Sequence, residues 1–156
     1  MSKQLPPVSV LVDAATAAAG FGAAAGAVDD AAAAAFGVNR TDLRIIGTLH
    51  QQGALTAGQL AGMCGLSPAA TSTAIQRLVG GGHVTRAIDS EDRRRAVIAV
   101  TGSTVERLEA IYGPVGEAGM TQLAEYNPGQ LALLTDFLRR GESLQHAQAE
   151  RIRSMH

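Results

Sequence analysis

Only one cysteine, Cys64, occurs in the 156 residues, which excludes an intramolecular disulfide framework and a cysteine-rich zinc site. Net charge is nearly absent as well. At −1 the chain is not one whose whole surface binds polyanions, so any affinity for nucleic acid must reside in a local patch. Lysine occurs once, as Lys3, beside heavy use of Ala, Gly and Arg, a GC-rich coding bias without mechanistic content. Also missing are a Ser/His/Asp set, a paired-carboxylate motif and a Gly-rich phosphate loop, which places an enzyme last among the function classes. His50, His83, His146 and His156 are scattered without an i, i+4 ligand spacing, so neither a metal site nor a cofactor is expected. Nor is there a long, strongly apolar run. The Ala-rich stretch from Val8 to Phe36 is uncharged only between Asp13 and Asp29, short of the ~20 apolar residues a spanning helix needs. A soluble helix in a cytoplasmic protein with no membrane partner is the expectation.

What is present is helical punctuation. The length suits one compact domain, or a small domain with dimerisation arms. Ala is the best helix former, so Val8 to Phe36 is read as helix despite Gly20, Gly22 and Gly26. Gly37 with Asn39 stops it, and Thr41 is read as the cap of a second helix, Asp42 to Gln52, with Leu43, Ile45, Ile46 and Leu49 on one face. Thr56 and Gln59 form a capping box for a short helix from Ala57 to Met63, with Leu60 facing inward. Ser67 followed by Pro68 opens a helix to Val79, because Ser caps free amides and Pro suits the first turn. Its inner face is read as Ala70, Thr71, Ala74, Ile75 and Leu78, and its outer face as Ser72, Thr73 and Gln76 with Pro68 and Ala69 at the leading end. Gly80, Gly81 and Gly82 stop it.

Beyond these glycines, His83 to Ile88 and Ala96 to Thr101 are β-favouring segments joined by a charged tip, Asp89 to Arg95, and read as a hairpin. From Arg77 to Arg95 five arginines face three acids, a surplus of two in an otherwise slightly acidic chain. A capped helix followed by a cationic hairpin supplies two parts that a duplex reader needs: a rod for the major groove, and a finger for phosphates or the minor groove. Ser103 is read as capping a helix with Val105, Leu108 and Ile111, kinked or broken at Pro114 and Gly116. Asn127 and Pro128 restart a final helix bearing Leu131, Leu134, Phe137 and Leu138.

Leu60, Ala61, Gly65, Leu66 and Ser67, then Arg77, Leu78, Gly82, Val84, Arg86, Asp89, Asp92, Arg93, Arg94, Thr101 and Gly102, together resemble the winged helix-turn-helix of MarR-type bacterial transcription regulators. The run from Gly37 to Arg44 resembles the entry to the preceding helix in that family. Motif coverage is about a third of the chain. The resemblance implies a mainly α fold with a small β-hairpin wing, a winged helix-turn-helix flanked by N- and C-terminal dimerisation helices. On that pattern residues 1–40 are an N-terminal dimerisation helix, 41–102 the DNA-binding unit and 103–156 C-terminal dimerisation helices. It further implies a homodimeric repressor on a pseudo-palindromic site in double-stranded DNA.

By the same pattern the helix from Pro68 is the recognition helix. Ser72, Thr73 and Gln76 become candidates for base edges, since hydroxyls donate or accept and Gln can pair with adenine. Arg77 falls where the family keeps an Arg that contacts backbone or braces the wing. Arg94 would enter the minor groove, oriented by Asp92, while Arg86, Arg93 and Arg95 neutralise phosphate. The departure from the pattern is the run Val79 to Gly82, which replaces a charged helix end and predicts a looser one. The resemblance also implies a pocket for a small aromatic or anionic effector, for which Phe36, His50, Ile111 and Tyr112 are candidates, although core packing explains the same residues. Cys64 has no basic sequence neighbour to lower its pKa and is read as packing rather than as a redox sensor. The rival from another class is a protein-interaction module on a winged scaffold that no longer binds DNA.

Overall fold

The computed structural model describes residues 5–88 and 95–155. Among them the chain runs α1 (Val8–Phe36), α2 (Arg40–Gln52), β1 (Leu55–Thr56), α3 (Ala57–Cys64), α4 (Pro68–Gly80), β2 (Val84–Ile88), β3 (Ala96–Val100), α5 (Gly102–Leu123) and α6 (Pro128–Arg153). They fall into two compact units, one ending at Leu108 and one beginning at Glu109. The mainly α fold with a small β wing expected from the sequence is what the chain adopts.

The first unit has the core. Ile45, Ile46 and Leu49 of α2, Leu60 of α3, Ala74 and Leu78 of α4 and Ile98 of β3 are each at most 1 % exposed. Burying a Leu or Ile side chain contributes about 1.5–3 kcal/mol, so this cluster dominates the stability of the unit. α2 delivers its face through the spacing read from the sequence, but its cap differs from the expectation. Asn39, not Thr41, caps it: Asp42 N donates to Asn39 Oδ1 at 2.8 Å, and the helix begins at Arg40. An Asn amide oxygen in extended backbone reaches the third amide as well as Thr does, and Thr41 already lies inside the helix. On α4 the buried face is Thr71, Ala74, Ile75 and Leu78, whereas Ala70 is exposed, because it lies one position too early for the inward stripe.

The sheet has one more strand than the hairpin. Its order is β1-β3-β2, with β3 antiparallel to both neighbours. Leu55 pairs with Ile98 and Thr56 with Val97, while Val84 pairs with Val100 and Ile88 with Ala96. Two residues of strand carry too little periodicity to be found in the sequence. β1 nevertheless fastens the wing to the start of α3, where Thr56 also closes the capping box with Gln59.

α1 is long and apolar enough, by length and composition, to cross a membrane, with a mean hydropathy of 1.5 over its most apolar window. The sequence argument that this segment is too short therefore does not hold for the complete helix, whose apolarity is built largely from Ala. Its last turns are fixed in the first unit: Ala32, Ala33 and Phe36 are buried, and Arg40 donates to Gly26 O and pairs with Asp30. Gly37, at φ 70°, ends it with its N–H on Ala34 O, a left-handed position that glycine takes without steric penalty.

α5 corrects the expected cap, and of the expected kink or break at Pro114 it excludes the break. Thr101, rather than Ser103, serves its first turn, accepting from Thr104 N at 3.3 Å. The helix also runs unbroken past Pro114 to Leu123, since a proline removes one hydrogen bond while the remaining turns keep theirs. The second unit continues into α6, opened by the Asn127 and Gln130 capping box. Among the described residues none beyond Leu108 is buried. Leu133, Phe137, Leu138 and Leu144 of α6 lie open to solvent.

Candidate nucleic-acid interface

α4 stands where its termini are closed by its own sequence. Ser67 Oγ accepts from Ala70 N at 3.2 Å and Pro68 occupies the first turn. At the other end the N–H groups of Gly81, Gly82 and His83 donate to the carbonyls of Arg77, Val79 and Leu78 at 2.9, 3.0 and 2.9 Å. The helix end is therefore closed, not loose as the absence of charged residues suggested. Glycine is required there for two separate reasons. A Cβ on Gly81 would lie 2.9 Å from His83 Cδ2, and Gly82 sits at φ 72°.

Between these caps Pro68, Ala69, Ser72, Thr73 and Gln76 are all exposed, on the face opposite Thr71, Ala74, Ile75 and Leu78. The helix therefore presents the predicted polar set to solvent. Thr73 donates its hydroxyl to Ala69 O at 3.0 Å, and its exposed oxygen keeps its capacity to accept. Ser72 and Gln76 follow at helical spacing, so a donor-acceptor strip runs along one side of a rod narrow enough for a major groove.

Arg77 is placed differently. It turns back toward α2, donating from Nη2 to Asp42 Oδ1 at 2.7 Å and from Nε to Asp42 Oδ2 at 3.0 Å. The Asp42 hydrogen bonds, and then its charge, hold the Arg77 guanidinium above even its usual high pKa. Asp42 is only 3 % exposed and receives a further bond from Asn39 Nδ2 at 3.1 Å. In the sequence Asp42 is legible only as a helix start. An acid in the first turn of a helix is ordinary, and nothing local distinguishes one that reaches a residue 35 positions away.

Of the wing residues, Arg86 lies exposed on β2, its Cα opposite Ile98, and Arg95 is exposed just before β3. Asp92, Arg93 and Arg94 lie outside the described residues. The base of the wing is fixed by Thr101. Its N–H donates to His83 O at 3.1 Å, and its hydroxyl lies 3.0 Å from Gly82 O and 2.9 Å from Thr104 Oγ1. The end of α4, the start of β2 and the start of α5 thus share one side chain.

The proposed effector set is not gathered in the first unit. Phe36 is a core residue there, edge-on to His83 with ring centroids 5.8 Å apart and with the Arg107 guanidinium 4.4 Å from its ring centroid. His50 is exposed on α2, and Ile111 and Tyr112 belong to the second unit. A cavity of about 210 Å³ does open in the first unit, but Gly37, Val38, Asn39, Asp42, Arg77, Leu78, Gly81 and His83 line it, and Phe36 and His50 do not. His83 has its pKa lowered, first by burial and second by the charge of Arg107, with Asp42 opposing. Cys64 is buried, with its sulfur 3.6 Å from Thr48 Oγ1, as the packing reading requires.

A capped, outward-facing helix following a shorter one, with a three-stranded wing behind it, defines a winged helix-turn-helix protein. Residues 36–95 match the MarR family model. Over 123 residues the chain is 32 % identical to YcgE of Bacillus subtilis, an HTH-type transcriptional regulator, covering 79 % of this chain and 80 % of that one. The chain belongs to the MarR family of transcriptional regulators. Among solved structures it is similar to RV1404 from Mycobacterium tuberculosis, with a TM-score of 0.69 at 19 % identity, over 92 % of this chain and 97 % of the other. The S. aureus MepR–DNA complex matches with a TM-score of 0.58 at 20 % identity, over 80 % of this chain and 94 % of that one.

Proposed function

We propose that this protein is a cytoplasmic, homodimeric repressor that binds a pseudo-palindromic promoter site in duplex DNA and is released by a small aromatic or anionic ligand. The observation that carries the DNA reading is the exposed strip Ser72, Thr73 and Gln76 on a helix capped at both ends. The structural likeness to MepR, solved as a complex with DNA, supports it. Pro68 and Ala69 approach the backbone at the leading end of the helix. Arg86 and Arg95 neutralise phosphate from the wing, and Arg93, Arg94 and Asp92 complete it, with Arg94 in the minor groove.

The dimer reading rests on apolar surface. Val10, Leu11, Val12 and Phe21 of α1 and Leu133, Phe137, Leu138 and Leu144 of α6 are all more than half exposed. Many exposed large apolar side chains on the helices at both ends of a chain call for a partner, and a second copy also supplies the two-fold symmetry that matches inverted half-sites. The same contacts cover α1 without a membrane. Residues 1–40 and 103–156 are then the arms and 41–102 the reader, with Ile111 and Tyr112 as candidate effector contacts from the arms.

Selection of bound sequences from random duplexes, followed by binding titrations across a salt series, tests this reading. An inverted repeat should emerge, and affinity should fall steeply with salt as several phosphates are neutralised. Purified protein that is monomeric, or that ignores every duplex at low ionic strength, would refute it. Competition with small aromatic acids addresses the effector.

A further inference from the structure

Arg77 is the one recognition-helix cation, yet its guanidinium is committed elsewhere. Both Asp42 oxygens accept from it in a two-bond fork, and Asn39 grips the same carboxylate from the other side, at 3.1 Å to Oδ2, while its own Oδ1 takes the Asp42 N–H. Forked arginine–carboxylate pairs fix geometry as well as charge. The side chain of Asp42 is 4 % exposed against 49 % for Arg77, so the two partners are not equivalent. If Arg77 left for a phosphate, it would strand a buried carboxylate, which is far more costly than losing an exposed ion pair.

We propose that Asp42 is a positioning residue of the DNA reader: through Arg77 it locks the recognition helix α4 to α2 and keeps that guanidinium off the phosphate backbone. The chain of contacts is short. The turn that ends α1 carries Asn39, Asn39 orients Asp42, and Asp42 holds Arg77, the neighbour of Gln76 on α4. The lock sets the rotation of α4 about its axis, and hence the direction in which Ser72, Thr73 and Gln76 face. Arg77 serves base reading indirectly, while the salt-dependent part of binding belongs to the wing. This inference rests on α4 being the element that reads DNA.

A double-mutant cycle in the full-length protein tests it, using Asp42→Asn, Arg77→Gln and the pair. Affinity for the selected duplex is measured by fluorescence anisotropy over a salt series, with circular dichroism recording that each variant is folded. Each single change should weaken binding by about tenfold, with the double variant no weaker than either single one, because all three break the same lock. The dependence of log affinity on log salt should keep the wild-type slope in Arg77→Gln and in the double variant, which both lack the guanidinium. Arg77→Lys should weaken binding like Arg77→Gln, since an ammonium keeps the charge but not the two-bond fork. This variant carries the test if Asp42→Asn fails to fold.

The inference is overturned if Arg77→Gln lowers the salt slope by about one while Arg77→Lys and Asp42→Asn bind as tightly as wild type, the behaviour of a direct phosphate ligand. Additive losses in the cycle overturn it too. Failure of the wild-type protein to select any duplex overturns the DNA reading and this inference together. Selection by wild type with unaffected variants overturns the inference alone.

Discussion

Two regions of this chain carry large apolar residues on helices and spend them in opposite ways. In α2 the stripe Leu43, Ile45, Ile46 and Leu49 is buried within its own unit, while in α6 the residues Leu133, Phe137, Leu138 and Leu144 are exposed. The first stripe meets α3, α4 and the wing; the second meets solvent. The contrast teaches that the first unit can be stable from its own core, whereas the exposed apolar residues of α6 are an unused driving force until another surface covers them.

The largest effect is expected from attacking the core of the reader. Ile45→Ala should destabilise by about 2–5 kcal/mol, because deleting buried methyl groups costs both transfer energy and a residual cavity. Chemical denaturation would show it as a lower midpoint. A shift of a few tenths would mean that the reader does not stand on this core. If the proposed dimer is built on α6, the matching change there, Leu133→Ser with Phe137→Ser, should leave the helix content intact and shift the sedimentation profile from dimer to monomer. A profile that stays dimeric would remove α6 from the interface and blur the contrast between the two regions.

Smaller effects sharpen the comparison within the reader. Gln76→Ala should relax discrimination by ~1–3 kcal/mol at one base position per half-site, measured by competition among duplexes. Uniform weakening across all sequences would instead mark Gln76 as a backbone contact. Ser67→Ala, which removes the acceptor for Ala70 N, should cost about 1 kcal/mol of stability. A thermal unfolding series that shows no change would mean that Pro68 and packing define the start of α4 without the cap.

The smallest expected effect is a pH dependence at His83. Burial first, and the Arg107 charge second, keep its folded pKa below the ordinary 6.5. As pH falls below about 6.5 the unfolded chain takes up a proton that the folded state refuses. The stability contributed by neutral His83 is therefore complete above that pH and is lost progressively as pH drops toward the folded value. Thermal midpoints at pH 7.5 and 5.5 should converge in His83→Gln relative to wild type. An equal drop in both proteins would assign the acid sensitivity to other groups.

Most element boundaries were legible because they are local. Ser67 with Pro68, Thr56 with Gln59 and Asn127 with Pro128 each open a helix by hydrogen bonds spanning three residues, and Gly37, Gly53 and Gly65 each close one in positive φ. The exposed set Ser72, Thr73 and Gln76 followed from helical period alone. The cap of α2 is Asn39 and not Thr41; both residue types are competent caps, and only the backbone angles rank two such neighbours. Strand β1 is not legible in the sequence, because its two residues acquire their character from pairing with Ile98 and Val97, not from their own pattern.

The sequence by itself determined where helices begin and end and which faces are polar, since capping and amphipathic spacing act within about one turn. It also determined that the wing follows the exposed helix. Only the tertiary structure decided that Arg77 turns away from the outer face toward Asp42, that His83 sits against Phe36, and that α5 passes Pro114 without a break. Each of those depends on groups brought together from distant parts of the chain, or on the balance over a whole helix. A neutralising partner 35 residues away leaves no local trace in the pattern around either residue.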